Sequence, residues 1–253
     1  MGSGKGKTRR ALSNANVSGE VPPSIVSDDG TKEWYQNGLR HRVGGPAVEQ
    51  ANGYSEWWDH GILQRDGGPA IEDGDGGKFW YENGEKHRED GPAVKRTNGD
   101  REWWVRGKCH RVDGPAREFA GGDNVWYLHG ERHRVGGPAI EGADGLKQWY
   151  EHNKRHRVDG PAYDGGDGRK KEWYCDDELH RVGGPARELV NGTKEWYQHG
   201  QLHRADGPAR ELSNGREEWA LNGKKTTEEE VRRMASAHRL YEAAMVMPER
   251  VNF

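Results

Sequence analysis

Aliphatic residues are scarce in this chain. Leu, Val, Ile and Phe make up about 13% of its 253 residues, a level at which a packed aliphatic core is not expected. No stretch approaches the roughly 20 apolar residues of a membrane-spanning helix. The first twenty residues, MGSGKGKTRRALSNANVSGE, lack the apolar run of a secretory signal. Cysteine is nearly absent: Cys109 and Cys175 are the only two, three repeat units apart, which argues against an intrachain disulfide. Charge of one sign is also missing. The formal net charge is −3, so nothing overall drives the chain toward nucleic acid or an anionic membrane. These absences predict a soluble protein of a reducing, cytoplasmic compartment.

What is present is 11 Trp, 9 Tyr and 38 Gly. Disordered chains combine high net charge with few aromatics, and this chain does neither. Many aromatics and glycines with few aliphatics predict a thin structure built from turns.

The aromatics are periodic. Trp recurs at 34, 57, 80, 103, 126, 149, 173, 196 and 219, in steps of 23 with a single step of 24. Gly-Pro-Ala recurs in phase, ending at Ala47, Ala70, Ala93, Ala116, Ala139, Ala162, Ala186 and Ala209. Fixed-period self-similarity is the signature of a repeat architecture. About eight and a half copies span residues 31–225, the last stopping at Trp219-Ala-Leu-Asn-Gly223.

Each unit carries turn chemistry twice. Asn37-Gly38 and Asn52-Gly53 are hairpin signals, suited to turns with positive φ at both central residues. With two-residue turns at both, Trp34 faces His41, Glu33 faces Arg42, Val48 faces Trp57 and Glu49 faces Glu56. Pro46, lacking an N–H, starts a strand or sits at a bulge. One face then carries Trp34, His41 and Val48, the other Glu33, Tyr35, Arg42, Ala47 and Glu49. Opposed carboxylates repel, and the Arg42 slot, Arg in every full repeat, is their expected counterion. Trp34 and its copies are expected to supply cohesion.

The ends read differently. Residues 1–30 are expected to be a flexible tail tipped by Lys5, Lys7, Arg9 and Arg10. Over 226–253, Thr226 and Glu229 form a capping box, followed by Val231, Met234, Tyr241 and Met245 on one helical face. A helix over about 227–246 is expected to cover the last open sheet edge, as repeat arrays require.

The unit resembles a variant of the MORN (membrane occupation and recognition nexus) repeat, a 23-residue β-hairpin. Tyr35-Gln-Asn-Gly38 resembles its Trp-x-x-Gly step and Gly44 a later glycine, whereas Glu33 and Arg42 stand where that family has Gly. A subgroup with the signature WYxNGxxHRxDGPA is more similar still, carried here by Trp103-Trp104, Gly107, His110-Arg111 and Asp113-Gly-Pro-Ala116. Such units resemble those of uncharacterised phage, large-virus and bacterial proteins, whose last repeat runs on as Asn222-Gly-Lys-Lys-Thr-Thr-Glu-Glu-Glu230 does here. The resemblance implies an all-β fold: an elongated, single-layer antiparallel β-sheet of hairpin repeats, used for binding or scaffolding without catalysis, here with a C-terminal capping α-helix.

Residues that suggest chemistry do not assemble into a site at this level. Gly4-Lys-Gly6-Lys7-Thr8 resembles a phosphate loop but lacks the first glycine and a preceding strand. Met1-Gly2 lacks the Ser or Thr of a myristoylation signal at position 6. His41 and its copies lie at least ~9 Å from one another at sheet spacing, too far for one zinc ion. Pairs within a repeat, such as His129 with His133, lack further ligands. No catalytic, cofactor or metal residues are therefore expected.

The expected function is a scaffold that holds a protein partner, as a virion or assembly component or as an inhibitor of a host protein if virus-encoded. The alternative is single-stranded nucleic-acid binding by Arg and aromatic rows, opposed by the Glu rows. Candidate contacts are the aromatic row Tyr35, Trp58, Tyr81, Trp104, Tyr127, Tyr150, Tyr174 and Tyr197. To these the variable slot of Val48 adds Arg117, Tyr163, Arg187 and Arg210.

Overall fold

The computed structural model describes residues 9–11 and 22–245, with side chains for 22–237. It is all-β, built from regular antiparallel hairpins, with one helix, Glu228–Met245. No described helix is long and apolar enough to cross a membrane. The chain divides into two compact units, 1–131 and 132–253, each made of the same repeat.

One repeat shows how the sequence folds. Tyr35–Gln36 and Leu39–Arg40 form a tip hairpin around Asn37 and Gly38, whose φ values of 51° and 78° give the expected turn. His41 N–H donates to the Trp34 carbonyl at 3.1 Å, closing the tip. There the chain leaves its partner. Residues 42–46 loop out, and Ala47 returns to accept the Trp34 N–H at 2.8 Å. Lys32–Glu33 therefore pairs with Val48–Glu49, not with residues following His41. Glu33 faces Val48, and the expected Glu33–Arg42 pairing does not form. Pro46 sits in the loop just before the returning segment, where its missing N–H costs the ladder nothing.

The second turn also departs from expectation. Gly53 N–H donates to the Gln50 carbonyl and Gln50 N–H to the Tyr54 carbonyl. This is a three-residue loop in which only Gly53 has positive φ, at 89°. Asn52 instead accepts the Tyr54 N–H on its side chain. The register moves by one residue: Val48 faces Glu56 and Glu49 faces Ser55. A one-residue slip exchanges faces, so Val48 joins Glu33 and Tyr35 rather than Trp34. The step of 24 is absorbed in the corresponding turn of the C-terminal unit, where Gly166 and Gly168 both take positive φ.

In the N-terminal unit the ladder runs in chain order from Arg9–Ala11 and Ile25–Ser27 through Lys32–Glu33 to Asn124–Val125, skipping the tip hairpins. The array thus begins before residue 31. Ile25–Ser27 pairs with Lys32–Glu33 through a turn with Gly30 at φ 82°, so the expected tail over 1–30 is partly ladder. Gly4 to Thr8 and Met1-Gly2 lie outside the described residues. In the C-terminal unit the ladder runs from Ile140–Glu141 to Glu217–Glu218. Every Gly-Pro-Ala alanine is fully buried, which leaves no room for a larger side chain there.

The helix starts at Glu228, with its cap one residue later than expected. Thr227 Oγ1 accepts the Glu230 N–H at 3.3 Å. Thr226 is still part of the array, its N–H bonded to the Trp219 carbonyl in the slot His41 fills elsewhere. Val231 is buried, and a cleft of ≈ 430 Å³ lined by Trp219, Pro208 and Ala235 lies beside it.

Candidate functional site

The histidine row joins neighbouring repeats. His41 Nδ1 accepts the backbone N–H of His60, the first turn residue of the next tip hairpin, at 3.3 Å. His87, His110, His133, His156, His180 and His203 do the same for Arg106, His129, His152, Asp176, His199 and Asn222. Where the slot holds Gln64, its Oε1 accepts from Asn83 at 3.1 Å. The slot requires an acceptor at a fixed reach, which both side chains supply. Histidines approach across repeats rather than within them: ring centroids of His41 and His60, His110 and His129, His133 and His152, and His180 and His199 lie 4.1–4.6 Å apart.

The arginine row stiffens the loops. The Arg42 guanidinium carbon lies 3.8 Å from the Trp34 ring centroid, and Nη1 donates to the Pro46 carbonyl and to Glu49 Oε1. A Cβ built on Gly45 would meet that guanidinium at 3.1 Å. The guanidinium is thus held between indole and glycine backbone, which explains why the Gly before Pro recurs. The same stack forms at Arg157, Trp149 and Gly160.

The expected aromatic contact residues are buried or half-buried. Tyr150 and Tyr174 are buried; Tyr35, Trp58, Tyr81, Trp104, Tyr127 and Tyr197 are half-buried. Tyr35 donates to Glu33 at 2.7 Å, Trp58 to Glu56 at 2.7 Å and Trp104 to Glu102 at 2.9 Å. In the Val48 slot, Arg187 bridges Glu172 at 2.8 Å and Glu195 at 2.9 Å, and Arg210 bridges Glu195 and Glu218. Arg117 lies near Glu102, and Tyr163 faces Glu172 in the ladder. Burial alone would raise the Glu102 carboxyl, but hydrogen bonds from Arg96 and Trp104 hold it below its ordinary range. Burial lifts the Cys109 thiol to about 11, which leaves it a neutral packing group at neutral pH.

A different surface is exposed. The residue after each loop arginine is Val43, Asp66, Glu89, Val112, Val135, Val158, Val182 or Ala205. The valines here are 79–91% exposed. In the C-terminal unit Val135, Val158 and Val182 stand in successive loops with clefts between them. One cleft of ≈ 370 Å³ is lined by Val135, Val158, Trp149 and Tyr150; the next, ≈ 600 Å³, by Val158, Val182, Trp173 and Tyr174. This row is not among the contacts expected from the sequence. Its signal was an apolar residue held in the middle of a Gly, Asp and Pro loop.

No family model matches the chain, and a search of curated proteins finds no match.

Proposed function

We propose that the chain is a non-catalytic scaffold that holds a protein partner along the loop edge of its repeats. The observation that supports this is the valine row. Single exposed valines are ordinary. The same slot left apolar and exposed in successive repeats, beside clefts lined by Trp149 and Trp173, forms a patch of the kind partners cover. Apolar side chains of the partner seat between successive loops, with Asp159 and Arg157 at the rim for polar contacts. Tyr150 and Tyr174 contribute as cleft walls. Variation in this loop slot gives specificity, since Asp66, Glu89 and Ala205 replace valine in three of the eight repeats.

The MORN-like resemblance fits a binding role, in the cytoplasm or in a virion if the chain is virus-encoded. Nucleic-acid binding is the weaker reading. Arg187 and Arg210 already have buried or half-buried carboxylate partners, and phosphate would have to compete with them.

The test is partner capture from the native cell with the wild-type chain and with Val158→Asp/Val182→Asp. Both positions are exposed, so near-ultraviolet dichroism of the tryptophans should be unchanged. The specific partner should be recovered by the wild type and lost, or weakened at least roughly tenfold, with the variant. Equal recovery by both would overturn the proposal.

A further inference from the structure

Among the described residues, two groups place three metal-ligating side chains together, each with its donor atoms within 4.8 Å of one another. In the N-terminal unit they are His41, Asp59 and His60. In the C-terminal unit they are His156, Cys175 and Asp176. Both occupy the same seam. The first residue is the row histidine of one repeat. The other two are the last strand residue and the first turn residue of the next tip hairpin. We propose that these two seams bind a divalent transition-metal cation of the zinc class, with water completing the coordination.

The seam histidine is the reason. His41 Nδ1 accepts the His60 N–H and so carries no proton in that arrangement; its single lone pair is engaged by this 3.3 Å bond, which a cation displaces on binding. Asp59 Oδ1 lies 3.1 Å from the same nitrogen. Two acceptors at that distance repel unless a proton or a metal cation sits between or beside them. His60 Nδ1, 2.6 Å from Asp59 Oδ1, brings the third donor. At the other seam His156 Nδ1 accepts the Asp176 N–H at 3.4 Å while Asp176 Oδ1 lies 3.5 Å away. The backbone bonds at these two seams, 3.3 and 3.4 Å, are among the longer ones of the row, as is that of His133 at 3.4 Å, which has no such group beside it among the described residues.

The donor chemistry selects the ion. Two imidazoles with a carboxylate, or imidazole, thiol and carboxylate, suit zinc-class cations; calcium and magnesium prefer oxygen-only shells. Metal–ligand bonds of about 2.0–2.3 Å set neighbouring donors about 3.3 Å apart. The observed 3.1 and 3.5 Å separations already match, and the 2.6 Å pair needs to open by about 0.7 Å. Access is free: Asp59 and His60 side chains are about half exposed and Asp176 is 64% exposed. The tip turns fix the ligands in advance, with His60 at φ 45° and Asp176 at φ 51°. Neither histidines within one repeat nor successive histidines of the row make up these groups. The true neighbours are offset by 18 to 20 residues and include non-histidine donors.

The test uses the full, tag-free chain stripped with chelator and titrated with Zn²⁺ by calorimetry, and with Co²⁺ by absorption. Two equivalents should bind. His60→Ala should remove one, weakening its site roughly tenfold or more, and Cys175→Ser should remove the thiolate–cobalt charge-transfer band. Neither residue is buried, so both variants should fold. No binding by the wild type would overturn the proposal. So would equal binding by the His60→Ala/Cys175→Ser variant, or loss of an equivalent with His110→Gln, which would place the ions at ordinary two-histidine seams.

Discussion

His110 and Gln64 perform the same task, and the comparison separates what histidine adds from what the fold needs. Each accepts one backbone N–H from the next tip. Protonation removes that acceptor from histidine but not from glutamine. Burial, then the neighbouring His129, lowers the pKa of His110; burial, then His199, lowers that of His180. A histidine whose folded pKa is depressed stabilises the fold fully above its unfolded value, about 6.5. That stability is lost as pH falls through the lower folded value. The urea midpoint should therefore drop between about pH 7 and pH 5. His110→Gln should keep the neutral-pH midpoint close to wild type and flatten the fall. A steeper fall in the variant would contradict the assigned bond.

At the scale of elements, the repeat tolerates two ways of filling one ladder face. In the N-terminal unit Ile71, Phe79 and Val94 meet one another. In the C-terminal unit Glu172, Arg187, Glu195, Arg210 and Glu218 alternate as a chain of ion pairs. Glu172 is 2% exposed, and a carboxylate so buried is costly once Arg187 is gone, which leaves it Lys170 at 3.2 Å and Tyr174 at 3.1 Å. Arg187→Ala should destabilise the protein by about 3 kcal/mol in urea unfolding, relieved in part by Glu172→Gln. A loss no greater than that of an exposed charge would show that water reaches the pair. Most of this was legible: the period, the Asn37-Gly38 turn and the terminal helix follow from local residue chemistry. The second register was not. Asn52-Gly53 supports both a two-residue turn and a three-residue loop, and the choice depends on Ala47 returning to Trp34 after residues 42–46 leave the sheet. That return is a non-local contact. The slip it causes turned Arg117, Tyr163, Arg187 and Arg210 toward the carboxylate row.

For the whole molecule, repetition distributes structural tasks so that few residues are singular. Row histidines join tips, arginines lock loops, and alanines leave room for the ladder. On the proposed function, surface that varies from repeat to repeat is what remains for recognition, and the loop valines combine variation with exposure. The aromatic row drew attention in the sequence because it is large and regular, but those qualities also suit it to packing. The most direct measurement is amide hydrogen exchange of the chain with and without its captured partner. The account predicts new protection concentrated in the loops around Val135, Val158 and Val182. Protection confined to the ladder strands of Tyr163, Arg187 and Arg210, with those loops unchanged, would contradict it.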